Sequence, residues 1–170
     1  GELNTDVVAF IRSNVRSPDT VIGALRAQFA ANHVGYQRMV GMCAERGWAD
    51  LQPLADEVIR RSEALARAEI AKIPNGTYRH AATLDVEGGN EITLKVAVTN
   101  GDDSIEIDYG GASPQLDTAI NCTLTYTSAY TTFAVNCLLD LPVNMNAGTL
   151  APLTIKADEG SILNCTFPAP

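Results

Sequence analysis

Apolar side chains return at intervals of three and four as far as Ile73, and beyond Pro74 the rhythm changes to alternation. Asn4 or Thr5 caps a short predicted helix that runs through Asn14, with Val7, Val8, Phe10 and Ile11 as its apolar side. Ser17, Pro18 and Asp19 are a start signal: a capping hydroxyl, a proline at the first helical position and an acid against the helix dipole. The helix they open is expected to reach Arg46, with Gly47 ending it and Leu25, Phe29, Tyr36, Val40 and Cys43 at helical spacing. A third helix starts near Asp50, with Pro53 in its first turn. Its expected buried stripe is Leu51, Leu54, Val58, Leu65, Ile70 and Ile73, and its solvated stripe includes Glu57, Arg60, Arg61, Glu63, Arg67 and Glu69. The short connection between the two long helices predicts an antiparallel pair.

From Pro74-Asn75-Gly76 onward the pattern reads as strands. Tyr78, His80, Ala82, Leu84 and Val86 alternate with polar neighbours, as do Ile92, Leu94, Val96 and Val98, and then Ile105, Ile107 and Tyr109. Turns fall at 87–90 (EGGN) and 100–103 (NGDD), so the three strands form an antiparallel meander with one buried face. After a GGASP turn at 110–114, Leu124 to Leu139 reads as a helix on the recurrence of Tyr126, Tyr130, Phe133, Ala134, Cys137 and Leu138. Residues 149–157 and 161–165 read as strands around a turn at Asp158-Glu159-Gly160. The expected fold class is α+β: an N-terminal helical hairpin, an antiparallel β-meander, one further helix and short C-terminal strands. Residues 1–73 are the helical part and 74–170 the mixed part, with no internal repeat or low-complexity linker.

Composition narrows the function classes. With 46% hydrophobic and 19% charged residues in 170, the chain can build an ordinary soluble core without a metal or disulfide staple. A net charge of −8 repels phosphate backbones, which argues against nucleic acid as a partner. No apolar run is long enough to span a bilayer and no basic amphipathic stretch suggests a membrane surface. Cys43, Cys122, Cys137 and Cys165 lack metal spacing and read as reduced, small apolar side chains, and the N-x-Thr sequons at Asn75, Asn121 and Asn164 read as chance matches. The expected location is the cytoplasm. The absence of an initial Met at Gly1 and the stop at Pro170, directly after a strand-like segment, read as a piece of a longer protein.

The chain offers no catalytic constellation. His33 and His80 are its only histidines, neither has an acidic partner at helical spacing, and both read as structural. Ser113 follows GGA, not the G-x-S-x-G elbow. Gly110 and Gly111 read as a tight turn rather than an anion cradle, and Asp102 and Asp103 as solvated turn residues. Glu106 and Asp108, two apart on one strand face, read as a solvated face rather than an acid–base pair. Asn121, Asn144 and Asn146 stand within two residues of Ala, Gly or Pro, where amides hold tight loops, and they are also able to orient a carbonyl or amide substrate.

Four motifs in order resemble the B component of the hydantoinase/oxoprolinase family. They are Leu25 to Gly35 (LRAQFAANHVG), Pro74 to Tyr78 (PNGTY), Asp108 to Cys122 (DYGGASPQLDTAINC), and Asn146 to Gly148 followed by Pro152, Gly160, Ser161, Leu163 and Asn164. The likeness covers essentially the whole chain. It departs from the family at Ala119, where Gly or Pro is usual, at Ala151, where a basic residue is usual, and at Cys165, where Pro is usual. The family includes N-methylhydantoinase, 5-oxoprolinase and the acetone and acetophenone carboxylases. The resemblance implies part of an ATP-dependent cyclic-amide hydrolase, inactive as a fragment, with a carboxylase subunit or a non-catalytic docking module as alternatives. It also implies a hydantoinase A-like ATP-binding subunit as partner in a hetero-oligomer. ATP and a divalent metal would belong to the full complex and no cofactor to this piece, because the family's metal ligands lie upstream of the equivalent of Gly1. The catalytic residues stay unassigned. Asp108, Asn121 and Asn146 are the expected substrate-side loop residues.

Overall fold

A computed structural model describes residues 3–86 and 89–170, which fall into two compact units, 1–52 and 53–170. In the first unit, helix α1 (Thr5–Asn14) packs on helix α2 (Pro18–Arg46). The Asn4 side chain caps α1 by accepting from the backbone of Asp6 and Val7, and Gly47 ends α2 in the left-handed conformation at φ 66°. Ser17 holds the cap position of α2, but its hydroxyl makes no capping hydrogen bond, so proline geometry and Asp19 mark this start. Ile22 is buried where the two helices meet, beside an apolar cleft lined by Val7, Val8, Ile11, Leu25 and Phe29.

The second unit begins in the first turn of helix α3 (Gln52–Ile70). The two long helices therefore fall in different units, and the helix pair within the first unit is α1 with α2. The buried side of α3 is Ser62, Ala66 and Ile70, spaced by four, whereas Leu54, Val58 and Leu65 of the expected stripe are exposed. The reason is steric. Small residues at 62 and 66 let another stretch of backbone come against the helix, which a leucine would prevent.

Strands β1 (Gly76–Val86), β2 (Asn90–Gly101) and β3 (Ser104–Asp108) form the expected antiparallel meander. Of the turn expected over 87–90, Glu87 and Gly88 lie outside the described residues. The second turn puts Asp102 at φ 52°, a left-handed conformation that Asp tolerates. Asn75 clamps it, accepting from the Asp102 backbone N–H at 3.0 Å and donating to the Asp102 carboxylate at 2.9 Å.

The sheet gains a fourth strand, which falls inside the strand expected over 149–157. Strand β4 (Leu153–Lys156) runs parallel to β3, giving the order β1-β2-β3-β4. A parallel neighbour requires a crossover, and helices α4 (Leu124–Leu138) and α5 (Ala147–Leu150) lie within it. The strand expected over 149–157 is realised only as Leu153–Lys156, its first two residues ending α5, and 161–165 forms isolated bridges rather than a strand.

The core gathers Ile70 from α3, Ile105 and Ile107 from β3 and Leu139 after α4, ringed by Val96, Val98, Val135, Leu153 and Ile155. Burial is concentrated at the β3 end of the sheet, while β1 is exposed along most of its length, so the expected buried face is only partly realised. On α4 the expectation also inverts. Tyr126, Tyr130, Phe133 and Leu138 are exposed, and the inward row is Thr127, Thr131, Val135 and Leu139. The two threonines tolerate burial because the Thr127 hydroxyl donates to the Leu163 carbonyl and the Thr131 hydroxyl to the Thr127 carbonyl, each at 2.7 Å.

On the solvated side of α3, hydrogen bonds from Arg60 and then Arg61 pull the Glu57 carboxyl from 4.5 down to about 2. A depressed carboxyl contributes stability that is complete above its unfolded value and is lost as pH falls from 4.5 toward about 2. An NMR pH titration is expected to place the Glu57 midpoint near 2, and Arg60→Gln to move it up toward 4.5.

Candidate functional site

Asp108 stands at the end of β3, where the chain leaves the sheet through the glycine turn. Its Oδ1 accepts the Gly110 backbone N–H at 2.8 Å, and Asp158 Oδ2 accepts that of Gly111 at the same distance. Both N–H groups of the turn are therefore spent on carboxylates, which closes the anion-cradle reading of Gly110 and Gly111. Gly111 has φ 76°, a conformation that favours glycine. Glu106, two residues earlier on the same face, is engaged by Lys156. The two carboxylates share a face and both act on Lys156, which bonds Glu106 and feels the charge of Asp108, its register partner, so they read as ion-pairing groups rather than an acid–base pair.

Register places more chemistry around Asp108 than the sequence disclosed. Ala97 of β2 pairs with Arg79 on one side and with Asp108 on the other, and Lys95 pairs with Ala81. Side chains of paired residues share a face, so Arg79, Lys95 and Asp108 rise around Ala81 and Ala97. They line an open depression of about 460 Å³ whose lining also includes Gly110. Neither cation was singled out from the sequence, because the pairing that joins them was not readable there.

Asn121 is a loop staple. Its Oδ1 accepts the Leu116 backbone N–H at 2.9 Å, and its Nδ2 donates to the carbonyls of Leu116 at 2.7 Å and Thr118 at 3.0 Å. Other motif residues behave alike. Gln115 donates to the Thr166 carbonyl and accepts its N–H, and Asn164 donates to the Ala157 carbonyl. The Ser113 hydroxyl accepts the Thr93 N–H at 2.9 Å, which holds the GGASP turn to β2.

Asn146 caps α5 in a capping box with Thr149. Its Nδ2 also donates to the Ser62 hydroxyl of α3 at 2.9 Å and to the Asn144 carbonyl at 3.0 Å. Two residues on, Gly148 lies against the backbone of α3. A Cβ there would overlap the Ile59 carbonyl oxygen and lie 2.9 Å from the Glu63 nitrogen. Asp108, Asn121 and Asn146 make no hydrogen bond with one another and occupy three separate settings: the sheet face, the 116–122 loop and the seat on α3.

His33 and His80 are exposed on different units. All four cysteines are free thiols. Cys122, whose carbonyl accepts the Cys165 N–H at 3.0 Å, has its thiol pushed up by burial and by the neighbouring Cys165. Among the described residues no group of three His, Cys, Asp or Glu side chains is placed to hold a metal ion, and no helix is long and apolar enough to cross a membrane.

A helix-flanked mixed sheet with side-chain-stapled crossover loops is a fold shared with solved enzymes. The ATP-dependent caprolactamase of Pseudomonas jessenii superposes with a TM-score of 0.84 at 22% identity, covering all of this chain and 30% of that one, a likeness of fold. Sequence takes the assignment further: the chain belongs to the Hydantoinase B/oxoprolinase family, whose model matches residues 1–170. It is 31% identical to the B component of the "Putative D-/L-hydantoinase" of Pseudomonas sp. (strain NS671), over all of this chain and 31% of that protein. It is also 26% identical to 5-oxoprolinase 1 of Arabidopsis thaliana over 82% of this chain and 12% of that protein. The chain thus spans less than a third of the length of the relatives it matches.

The seat of Gly148 makes a direct test of this packing. Gly148→Ala is expected to destabilise the chain by about 1–3 kcal/mol, as overpacking does. Urea unfolding followed by circular dichroism measures it, with Gly23→Ala, where a Cβ meets nothing within 4 Å, as the tolerant control.

Proposed function

We propose that this chain is part of an ATP-dependent cyclic-amide hydrolase of the hydantoinase/5-oxoprolinase type. The observation that carries the reading is the alignment of the whole chain with a hydantoinase B component at 31% identity. An amide carbonyl is a poor electrophile. Transfer of the γ-phosphoryl group of ATP to its oxygen, with release of ADP, makes the carbon electrophilic. Water adds there, the C–N bond breaks as the nitrogen takes a proton and the ring opens, and a second water releases phosphate from the resulting acyl phosphate. The nucleotide would be bound by an A-like partner subunit in a hetero-oligomer located in the cytoplasm.

The residues described here do not fit a metal site, since no group of three ligating side chains comes together among them. No step is therefore assigned through a metal. The part played by this chain is the shaping of loops. Asn121 and Asn146 act as positioning residues, because each amide is committed to backbone or to Ser62. Asp108 is the candidate to touch a ligand, since only its Oδ1 accepts a hydrogen bond, from Gly110, and it faces the depression with Arg79 and Lys95.

The test is an assay of the full-length protein with its ATP-binding partner on 5-oxoproline, hydantoin and caprolactam. Ring-opened product is expected in step with ADP, and the 170-residue chain alone is expected to give none. Bicarbonate incorporation without ring opening would place the protein on the carboxylase branch, and loss of both activities would leave the docking-module alternative. Within the complex, Asn121→Ala is expected to lower kcat by removing the loop staple, and unchanged turnover with normal folding would exclude it from the site.

A further inference from the structure

The second unit contains seven basic side chains: Arg60, Arg61, Arg67, Lys72, Arg79, Lys95 and Lys156. Five of them are ion-paired, to Glu57, Glu63, Asp103, Glu69 and Glu106. Arg79 and Lys95 make no ion pair and no side-chain hydrogen bond among the described residues, and they are the two that line one depression. In a chain with eight more negative than positive charges, free cations side by side are not the outcome expected from random surface placement.

The depression has the architecture of a small-molecule subsite. Its floor is Ala81 and Ala97, the smallest side chains that strand positions commonly carry, so the sheet is hollow there. Arg79 and Asp108 flank Ala97 from the two neighbouring strands, roughly 10 Å apart by strand spacing, with Lys95 one step along β2. The Lys95 stem is held close to the glycine turn, where a Cβ on Gly111 would lie 3.6 Å from its Cδ. Asp108 is oriented by the Gly110 N–H to Oδ1, and Oδ2 has no hydrogen bond among the described residues. Lys156, the register partner of Asp108 on β4, hydrogen-bonds Glu106 and feels the Asp108 charge, so it is not a free donor for a ligand, while Asp108 Oδ2 keeps its hydrogen-bonding capacity.

We propose that Arg79 and Lys95 bind the carboxylate of a small ligand whose adjacent N–H is accepted by Asp108. A guanidinium and an ammonium together supply charge-assisted donors. The nearby carboxylate repels a second negative charge, so a singly charged carboxylate with an N–H donor fits and a phosphate dianion does not. This subsite rests on residue placement and not on the hydrolase reading. Its occupation needs neither ATP nor turnover, so the two are judged by separate experiments.

The test follows backbone 1H–15N shifts of the 170-residue chain during titration with four probes. These are N-acetylglycine, N-acetylsarcosine (carboxylate without the N–H), N-acetylglycinamide (N–H without the carboxylate) and inorganic phosphate. N-acetylglycine is expected to shift Lys95, Ala97 and Gly110 selectively, with the other three at least about tenfold weaker, the loss expected for one charged hydrogen bond. Arg79→Gln and Lys95→Met are each expected to weaken N-acetylglycine by a similar factor while the remaining shifts report an intact fold. Asp108→Asn keeps the acceptor for Gly110 and is expected to remove the preference for N-acetylglycine over N-acetylsarcosine. Absence of shifts with N-acetylglycine, phosphate binding as tight as N-acetylglycine, or binding unchanged in both cation variants overturns the proposal.

Discussion

The architecture of the second unit depends on a missing methyl group. Gly148 brings the backbone of the crossover into contact with the backbone of α3, at a separation where any Cβ would collide with the Ile59 carbonyl. That seat is reinforced on one side by Asn146 bonding Ser62 and from below by the complete burial of Ala66 and Thr149. Because α5 is pinned there, β4 leaves it at a defined place and can pair with β3. The residues that make the contact are small or hydroxylated, so its strength is geometric: close approach, satisfied polar atoms and little side-chain entropy to lose.

The residues that mark the family are, in this chain, mostly builders of loops. Asn121, Gln115, Asn164 and Ser113 each give their polar atoms to nearby backbone, and the two glycine N–H groups of the turn are taken by Asp108 and Asp158. Such residues hold irregular backbone that has no ladder to satisfy it. A signature of this kind identifies a family without identifying a reacting group.

Much of the local structure was legible. Asn4, Pro18 and Gly47 delimit α1 and α2, and the alternation from Tyr78 to Tyr109 locates three strands, because caps and period-two patterns are short-range properties of the chain. What was not legible is which side of each helix faces inward. On α3 and α4 most of the bulky apolar side chains point outward, Ile70 and Val135 excepted, and rows of Ser, Ala and Thr are buried beside these two, since close backbone approach and hydroxyl-to-carbonyl bonds outweigh side-chain hydrophobicity there. The last two residues of α5, Thr149 and Leu150, were read as the start of a strand, although Asn146 and Thr149 stand at capping-box spacing and offered the signal. Of the site, Asp108 was visible as a strand-end acid. Arg79 and Lys95 were not, because their proximity depends on a strand register set across a turn that the sequence pattern does not fix.

The parallel pairing of β4 has a consequence for how the fold is acquired. Ile105 of β3 finds its partner in Leu153, so the core around Ile107 stays open on one side until the whole crossover has been made and closed. The meander is built from neighbours in sequence and can form early, whereas the last strand must wait for a long loop to close against an entropic cost. During synthesis β3 is therefore a temporary sheet edge. Asp108 and Glu106 at that edge leave negative charge exposed on the strand that would otherwise invite pairing with another chain.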